Sequence, residues 1–144
     1  AMAKAGLEDP HCGLADPDAI ARDFPELDLL DPVEPSAETL MARAGAAEEA
    51  ALAVKGVTNS EGAEARWSSN RVALAASNGF AAEYARSSHS VSASVIAGEG
   101  TAMERDYDWS SSLHAADLGD PATIGREAGT RAVRRLNPQK LESG

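Results

Sequence analysis

The chain has 144 residues, of which 13 are basic and 23 are acidic, so its formal net charge is −10. Such an acidic surface argues against non-specific binding to nucleic acid or to an anionic membrane, because clustered positive charge supplies the affinity in both cases. No stretch is long and apolar enough to span a membrane, and the single cysteine, Cys12, excludes an internal disulfide. We therefore expect a cytoplasmic protein with no membrane partner and no direct contact to nucleic acid.

The N-terminal part is predicted to be a loop with one short helix. Asp16 is a good N-cap, Pro17 suits the first helical position, and Pro25 stops the helix. Ser36 then caps a longer helix, in which apolar residues recur at three- and four-residue spacing until Gly56 ends it.

The middle of the chain is predicted to be a series of antiparallel strands. Asn78 and Gly79 lie between two β-compatible runs, and this dipeptide favours a two-residue type I′ hairpin because both residues tolerate positive φ. That turn places Ser77 opposite Phe80.

A second hairpin is predicted to close at Gly98-Glu99-Gly100, with Ala97 opposite Thr101. Because side chains alternate between the two faces of a strand, this register predicts one buried and one wet face. The buried face would pair Val95 with Met103, Ala93 with Arg105, Val91 with Tyr107 and His89 with Trp109. The wet face would pair Ser94, Ser92 and Ser90 with Glu104, Asp106 and Asp108.

A C-terminal helix is predicted from the cap pair Asp120-Pro121 to Asn137, which precedes a proline. The expected fold class is α+β: an antiparallel β-meander of about four strands with helices packed on one face. Residues 1–35 would form an N-terminal loop and short helix. Residues 36–144 would form the helix, the antiparallel sheet and the C-terminal helix of one domain overall.

Basic residues gather in the later turns of the C-terminal helix, at Arg131, Arg134 and Arg135. Cations there complement the helix dipole. Two interpretations stay open: a solvated helix end, which we favour given the surrounding acidity, and a basic contact patch.

The histidines do not indicate a metal site. His11, His89 and His114 lie far apart, and none has a metal-ligand spacing such as His-Glu-x-x-His. His89 falls on the predicted buried face, so we interpret it as a core or interface histidine.

The acid row of Glu104, Asp106 and Asp108 is the nearest approach to a reactive site. Residues two apart project from one face of a strand, which suits a divalent cation or a general acid/base pair. The alternative is a polar outer face opposite serines, and we favour it because no histidine or third ligand type converges there. From the residues alone we predict no catalytic site and no metal site.

Several ordered motifs carry a resemblance to a known family. They are Gly-Val-Thr-Asn-Ser-Glu-Gly at 56–62, Ser-Asn-Gly-Phe at 77–80, Ser-Val-Ile-Ala-Gly-Glu-Gly at 94–100 and Met-Glu-Arg-Asp-Tyr at 103–107, together with 8–10, 13–16 and 134–138. In these motifs the chain resembles the TldD/PmbA family, and within it the PmbA (TldE) branch named for a modulator of DNA gyrase.

The resemblance implies a bacterial cytoplasmic protein that pairs with a TldD-type subunit in a metallopeptidase. Such a complex would act on peptides or unfolded polypeptides and would take part in the maturation of peptide antibiotics. The metal motif of the family, His-Glu-x-x-x-His, belongs to the TldD-type side and has no counterpart here. Zinc is therefore expected only in the partner, and no cofactor in this chain. Family members are longer, so we interpret this chain as an interior piece of the N-terminal region.

Three functional hypotheses follow. The first is a scaffold or substrate-chamber segment of the non-catalytic subunit, with an exposed strand edge that could accept an extended peptide. The second is a protein-binding module that modulates DNA gyrase. The third is a hydrolase that uses the acid row. The candidate peptide- or partner-binding residues are Ser88, Ser90, Ser92, Ser94, Glu104 and Asp106.

Overall fold

A computed structural model describes residues 4–7 and 9–139. Its helices are α1 (Ala37–Leu52) and α2 (Pro121–Arg134), and its strands are β1 (Val57–Ala75), β2 (Ala81–Ala97) and β3 (Glu104–Ser112). Short 3₁₀ turns lie at Pro17–Ala19, Gly100–Ala102 and Ala115–Asp117. No helix within 4–7 and 9–139 has the length and apolarity needed to cross a membrane.

The strands of the described residues form one sheet in the order β1-β2-β3. The α+β class is confirmed, but the sheet has three strands where about four were expected. The reason is that β1 continues for 19 residues. Gly62, whose φ is +120°, lies within it without ending it.

The chain divides into two compact units. Of the described residues, 4–7, 9–27 and 71–84 form the first, and 28–70 and 85–139 form the second, so both β1 and β2 contribute to each.

The first unit contains the turn end of the β1-β2 hairpin, and this turn differs from the prediction. The Ala76 amide donates to the Phe80 carbonyl at 2.9 Å, which leaves three loop residues instead of two. Gly79 has a φ of +92° and Asn78 does not have a positive φ, so the type I′ prediction is wrong. A three-residue loop needs the left-handed conformation only at its last position, where glycine adopts it at little cost. The Asn78 side chain instead accepts from the Phe80 amide.

The starts of both helices were predicted correctly. Ser36 Oγ accepts from the Thr39 amide at 3.2 Å, and Asp120 Oδ2 accepts from the Thr123 amide at 2.9 Å. Each cap satisfies an amide that has no partner within its helix.

The core of the second unit lies where both helices cover one face of the sheet. Fully buried alanines and valines form it: Ala47, Ala51, Val91, Ala93, Val95, Ala97, Ala128 and Ala132, joined by Ile124. α2 packs on both α1 and β3. A Cβ at Gly125 would collide with the Ala47 carbonyl oxygen, and one at Gly129 would lie 2.8 Å from the Val54 side chain. The two helices therefore approach almost to backbone contact.

Candidate functional site

The register of β2 and β3 decides which side chains share a face. Ala97 pairs with Glu104, Ser94 with Tyr107 and Ser92 with Trp109. The predicted register, with Ala97 opposite Thr101, is wrong by three residues. The connection spans residues 98–103 because the 3₁₀ turn Gly100–Ala102 lengthens it. Since the shift is an odd number, every β3 side chain lies on the face opposite to the one predicted.

The acid row therefore lies under α2, among the arginines of its last turns. Arg131 Nη1 lies 3.0 Å from Asp108 Oδ1. Arg135 lies 3.5 Å from Glu104 Oε2 and 3.3 Å from Asp106 Oδ2. The three carboxylate side chains are only 15–32% exposed. The Tyr107 amide, followed by Arg135 and Arg131, holds the pKa of Asp106 below its usual value.

This placement corrects the expectation that Glu104 and Asp106 face the serines. Both carboxylates instead pair with Arg135, as Asp108 does with Arg131, so these two arginines form an intramolecular contact group although their side chains stay half-exposed. Asp106, whose pKa the Tyr107 amide and then the arginines lower, is poorly suited to donate a proton as a general acid.

The opposite face of the sheet is not covered by the helices. From Ser87 to Ala97, the odd-numbered residues of β2 are buried and the even-numbered ones are half-buried. Ser90, Ser92 and Ser94 therefore face outward as predicted, and Ser88 lies on the same face. Beside them on β3 stand Tyr107 and Trp109, whose exposed fractions are 60% and 61%. We call these six residues the serine face. Sequence analysis placed the two aromatic residues in the core, and the structure places them on the surface.

One end of the serine face is closed by paired charges. Ser94 Oγ donates to Glu61 Oε2 at 2.7 Å, and Arg105 Nη1 lies 3.3 Å from Glu61 Oε1. The Ser94 hydroxyl, and after it Arg105, holds the pKa of Glu61 below its usual value. An open depression of about 350 Å³ lies here, lined by Glu61, Ser94, Arg105, Asp106, Tyr107 and Arg135. Its charges occur as opposite pairs, so it carries little net charge.

At the centre of the outer edge of β3, the main-chain groups already have hydrogen-bond partners. The Tyr107 amide donates to Asp106 Oδ1 at 2.8 Å, and Arg131 Nη1 donates to the Tyr107 carbonyl at 3.4 Å. Side chains therefore satisfy both main-chain groups of Tyr107, in the way that natural sheets protect their edges. A strand added here would first have to displace them.

His89 is fully buried, as expected of a core histidine, but it does not contact Trp109. It pairs with Ser112 on the helix-covered face, and its Nε2 lies 3.2 Å from Asp31 Oδ2. The Asp31 carboxylate accepts from the Ala115 amide at 2.8 Å and from the Val33 amide at 2.9 Å. These two amides, and then the nearby histidines, hold the pKa of Asp31 below its usual value.

The same cluster attaches the segment before α1 to the sheet. Ser87 Oγ accepts from the Asp31 amide at 2.7 Å and donates to the Leu113 carbonyl at 2.8 Å. His114 Nε2 lies 2.8 Å from the Asp28 carbonyl oxygen. This buried group is structural, and sequence analysis missed Asp31 and Ser87.

Among residues 4–7 and 9–139, no three His, Cys, Asp or Glu side chains come together in a way that could hold a metal ion. The expectation of zinc in a TldD-type partner stays a prediction.

Comparison with known proteins identifies relatives over nearly the whole chain. The PmbA/TldA metallopeptidase central domain matches residues 30–136. The metalloprotease PmbA of Escherichia coli O157:H7 is 38% identical over 99% of this chain and 32% of its own length. The PmbA homologue of Haemophilus influenzae is 35% identical over the same shares. This chain thus spans about a third of the length of these relatives.

Solved structures share the fold. A Bacteroides thetaiotaomicron protein, named for a proposed role as a modulator of DNA gyrase, superposes with a TM-score of 0.83 at 29% identity, over 98% of this chain and 33% of that one. TldE from Thermococcus kodakarensis has the same fold with a TM-score of 0.63 at 17% identity, over 92% of this chain and 29% of that one. The resemblance drawn from the sequence motifs is confirmed. The chain therefore belongs to the PmbA/TldA metallopeptidase family and corresponds to its central domain.

Proposed function

We propose that this chain is a supporting segment of a PmbA/TldE-type subunit in a TldD/TldE-like metallopeptidase complex. In that complex, the serine face would form part of the substrate chamber or of the partner interface. The substrates would be peptides or unfolded polypeptides in the cytoplasm, and zinc would reside in the TldD-type subunit.

The observation that carries the proposal is the exposure of Tyr107 and Trp109 on a sheet face that the helices leave open. Tyrosine and tryptophan are enriched at protein interfaces, where they supply large contact areas with a polar tip. Beside a row of hydroxyl groups they form a surface that can contact both apolar side chains and main-chain amides.

The alternative of a hydrolase based on the acid row finds little support. Its three carboxylates lie on the covered face and are paired with arginines. From the open face, substrate would reach only Asp106, which borders the depression beside Tyr107, and that carboxylate is already paired with Arg135.

The direct test is reconstitution with a TldD-type subunit. The protein and that subunit would be mixed, assembly followed by size-exclusion chromatography, and hydrolysis of an unstructured fluorogenic peptide measured. We expect a complex, and cleavage that requires both components. Equal cleavage by the TldD-type subunit alone, with no complex, would contradict the proposal.

The names of solved relatives favour a second candidate, a module that binds DNA gyrase. It predicts binding of gyrase in the absence of any TldD-type subunit. A titration at low salt tests it, since electrostatic attraction is least screened there. No binding under that condition would exclude it.

A further inference from the structure

We infer that the serine face binds an extended, uncharged polypeptide segment lying flat across the sheet, along the direction of β2. The inference rests on the proposed function and deepens it, since it states what the face holds and from which side. It differs from the hypothesis of strand addition at a sheet edge.

The spacing of the hydroxyl groups fits an extended chain. Ser88, Ser90, Ser92 and Ser94 project from one face of β2 and so recur about every 6.6 Å over about 20 Å. An extended polypeptide repeats its main-chain groups at the same two-residue interval. A hydroxyl can donate and accept, so it suits either a carbonyl or an amide. Ser94 is bonded to Glu61, whereas Ser88, Ser90 and Ser92 donate to no protein group in the part of the chain that the structure describes.

The charge of the face selects an uncharged occupant. The serine row carries no formal charge, and the nearby Glu61 and Arg105 neutralise each other. Glu104 and Asp106, which would have made this face acidic, share the helix-covered face with Ala97 and Val95. Asp106 also borders the depression at the end of the serine face, but its charge is paired with Arg135. A charged segment would lose hydration here without gaining a counter-charge, and that exchange is unfavourable. An uncharged segment meets complementary polarity and can place apolar side chains against Tyr107 and Trp109.

The edge of β3 is a poorer route for the same segment. Strand addition needs free main-chain groups along an edge. At Tyr107 the amide and carbonyl are already bonded to Asp106 and Arg131. The open face needs no such displacement, so binding there proceeds with the ion pairs intact.

The test is fluorescence anisotropy with a labelled peptide of about ten residues made of Val, Ser, Thr and Gly, a length that covers the row of serines. We expect Trp109→Ala to weaken binding about tenfold, as loss of a central aromatic contact does. Ser90→Asp should weaken binding of this probe by a similar factor. The same variant should bind more tightly to a probe of equal length that has lysine at alternate positions. Met41→Ala is the matched control, because Met41 is 74% exposed on α1, outside the serine face, and should change nothing.

The edge route makes the opposite predictions. If the peptide added to β3, Trp109→Ala and Ser90→Asp would have no effect, and Arg131→Ala would strengthen binding by freeing the Tyr107 carbonyl. That pattern would overturn the inference. Circular dichroism of each variant checks that it is folded. Suppose that the Trp109→Ala variant forms the complex with the TldD-type subunit and that this complex cleaves peptide with an unchanged KM. That result would refute the inference about the serine face and leave the proposed function intact. Failure of the unsubstituted protein to form that complex would refute the proposed function instead.

Discussion

Replacing Gly125 by alanine should destabilise the second unit, whereas the same replacement at Gly45 should stabilise it. Both glycines lie inside helices, α2 and α1 respectively. At Gly125 an added methyl group collides with the Ala47 carbonyl oxygen of the other helix, and at Gly45 it has nothing within 4 Å. The chemical change is identical, so the difference between the two variants isolates the close approach of the helices.

The magnitude follows from two opposing effects. Alanine gains up to about 1 kcal/mol over glycine in a helix interior. Overpacking costs about 1–3 kcal/mol, and a collision with a main-chain atom belongs at the upper end because the helix cannot yield like a side chain. We therefore expect Gly125→Ala to lower the free energy of unfolding by about 2 kcal/mol, and Gly45→Ala to raise it by about 0.5–1 kcal/mol.

Urea denaturation followed by circular dichroism measures both values, provided that the slope of the transition is unchanged. Shifts of opposite sign support the packing described here. If Gly125→Ala were as stable as the unsubstituted protein, or if both variants shifted equally, the helices could not lie in backbone contact.

Four further outcomes are expected. Arg135→Ala should lower the free energy of unfolding by about 1 kcal/mol, a small value because the Arg135 side chain is 57% exposed. Urea titration at low and at high salt should show a smaller difference between the variant and the unsubstituted protein at high salt, because salt screens the ion pairs of Arg135. Asp31 has a lowered pKa, so its contribution to stability is fully present above pH 3.8, the ordinary pKa of aspartate, and is lost as the pH falls through its pKa in the folded state. Asp31→Asn should therefore flatten the acid limb of a plot of Tm against pH. His114 has a raised pKa, chiefly through its hydrogen bond to the Asp28 main chain, so its contribution to stability is fully present below pH 6.5, the ordinary pKa of histidine, and is lost as the pH rises through its pKa in the folded state. His114→Gln should abolish this decline of Tm with rising pH. An unchanged decline would refute the assignment. Trp109→Ala should leave the midpoint of urea unfolding nearly unchanged, whereas Val95→Ala should cost about 2 kcal/mol, because only Val95 is buried.

Local chemistry in the sequence was sufficient for the helix starts and the fold class. Ser36 and Asp120 act on amides three residues ahead, so their role depends on no distant contact. The burial of alternate residues in the second half of β2 could also be predicted, since serines and apolar residues alternate from Ser90 to Val95.

The face of β3 could not be predicted in the same way. Its odd positions carry Tyr107 and Trp109 and its even positions carry Asp106 and Asp108, so hydrophobicity alone favours burying the aromatic residues. The structure places the carboxylates, half-buried, on the helix-covered face, because Arg131 and Arg135, more than twenty residues later, pair with them there. The length of the turn between β2 and β3, which sets their register, could not be predicted either. Gly98 and Gly100 both adopt positive φ, so the position of a glycine does not by itself mark where the turn ends.

The buried polar cluster was also inaccessible to sequence reasoning. Asp31 bonds to Ser87 across 56 residues and to Ala115 across 84. No spacing rule for helices or strands connects such positions, and an aspartate between Leu30 and Pro32 in an acidic segment carries no local signal.

The central claim is that Tyr107 and Trp109 stand on an open, peptide-binding face. Hydroxyl-radical footprinting read by mass spectrometry tests it most directly, with the protein alone and with the uncharged probe peptide. We predict strong oxidation of both residues in the free protein, protection of both by the probe, and no change at Met41. Weak oxidation of Tyr107 and Trp109 in the free protein, or oxidation that the bound probe leaves unaltered, would contradict the account.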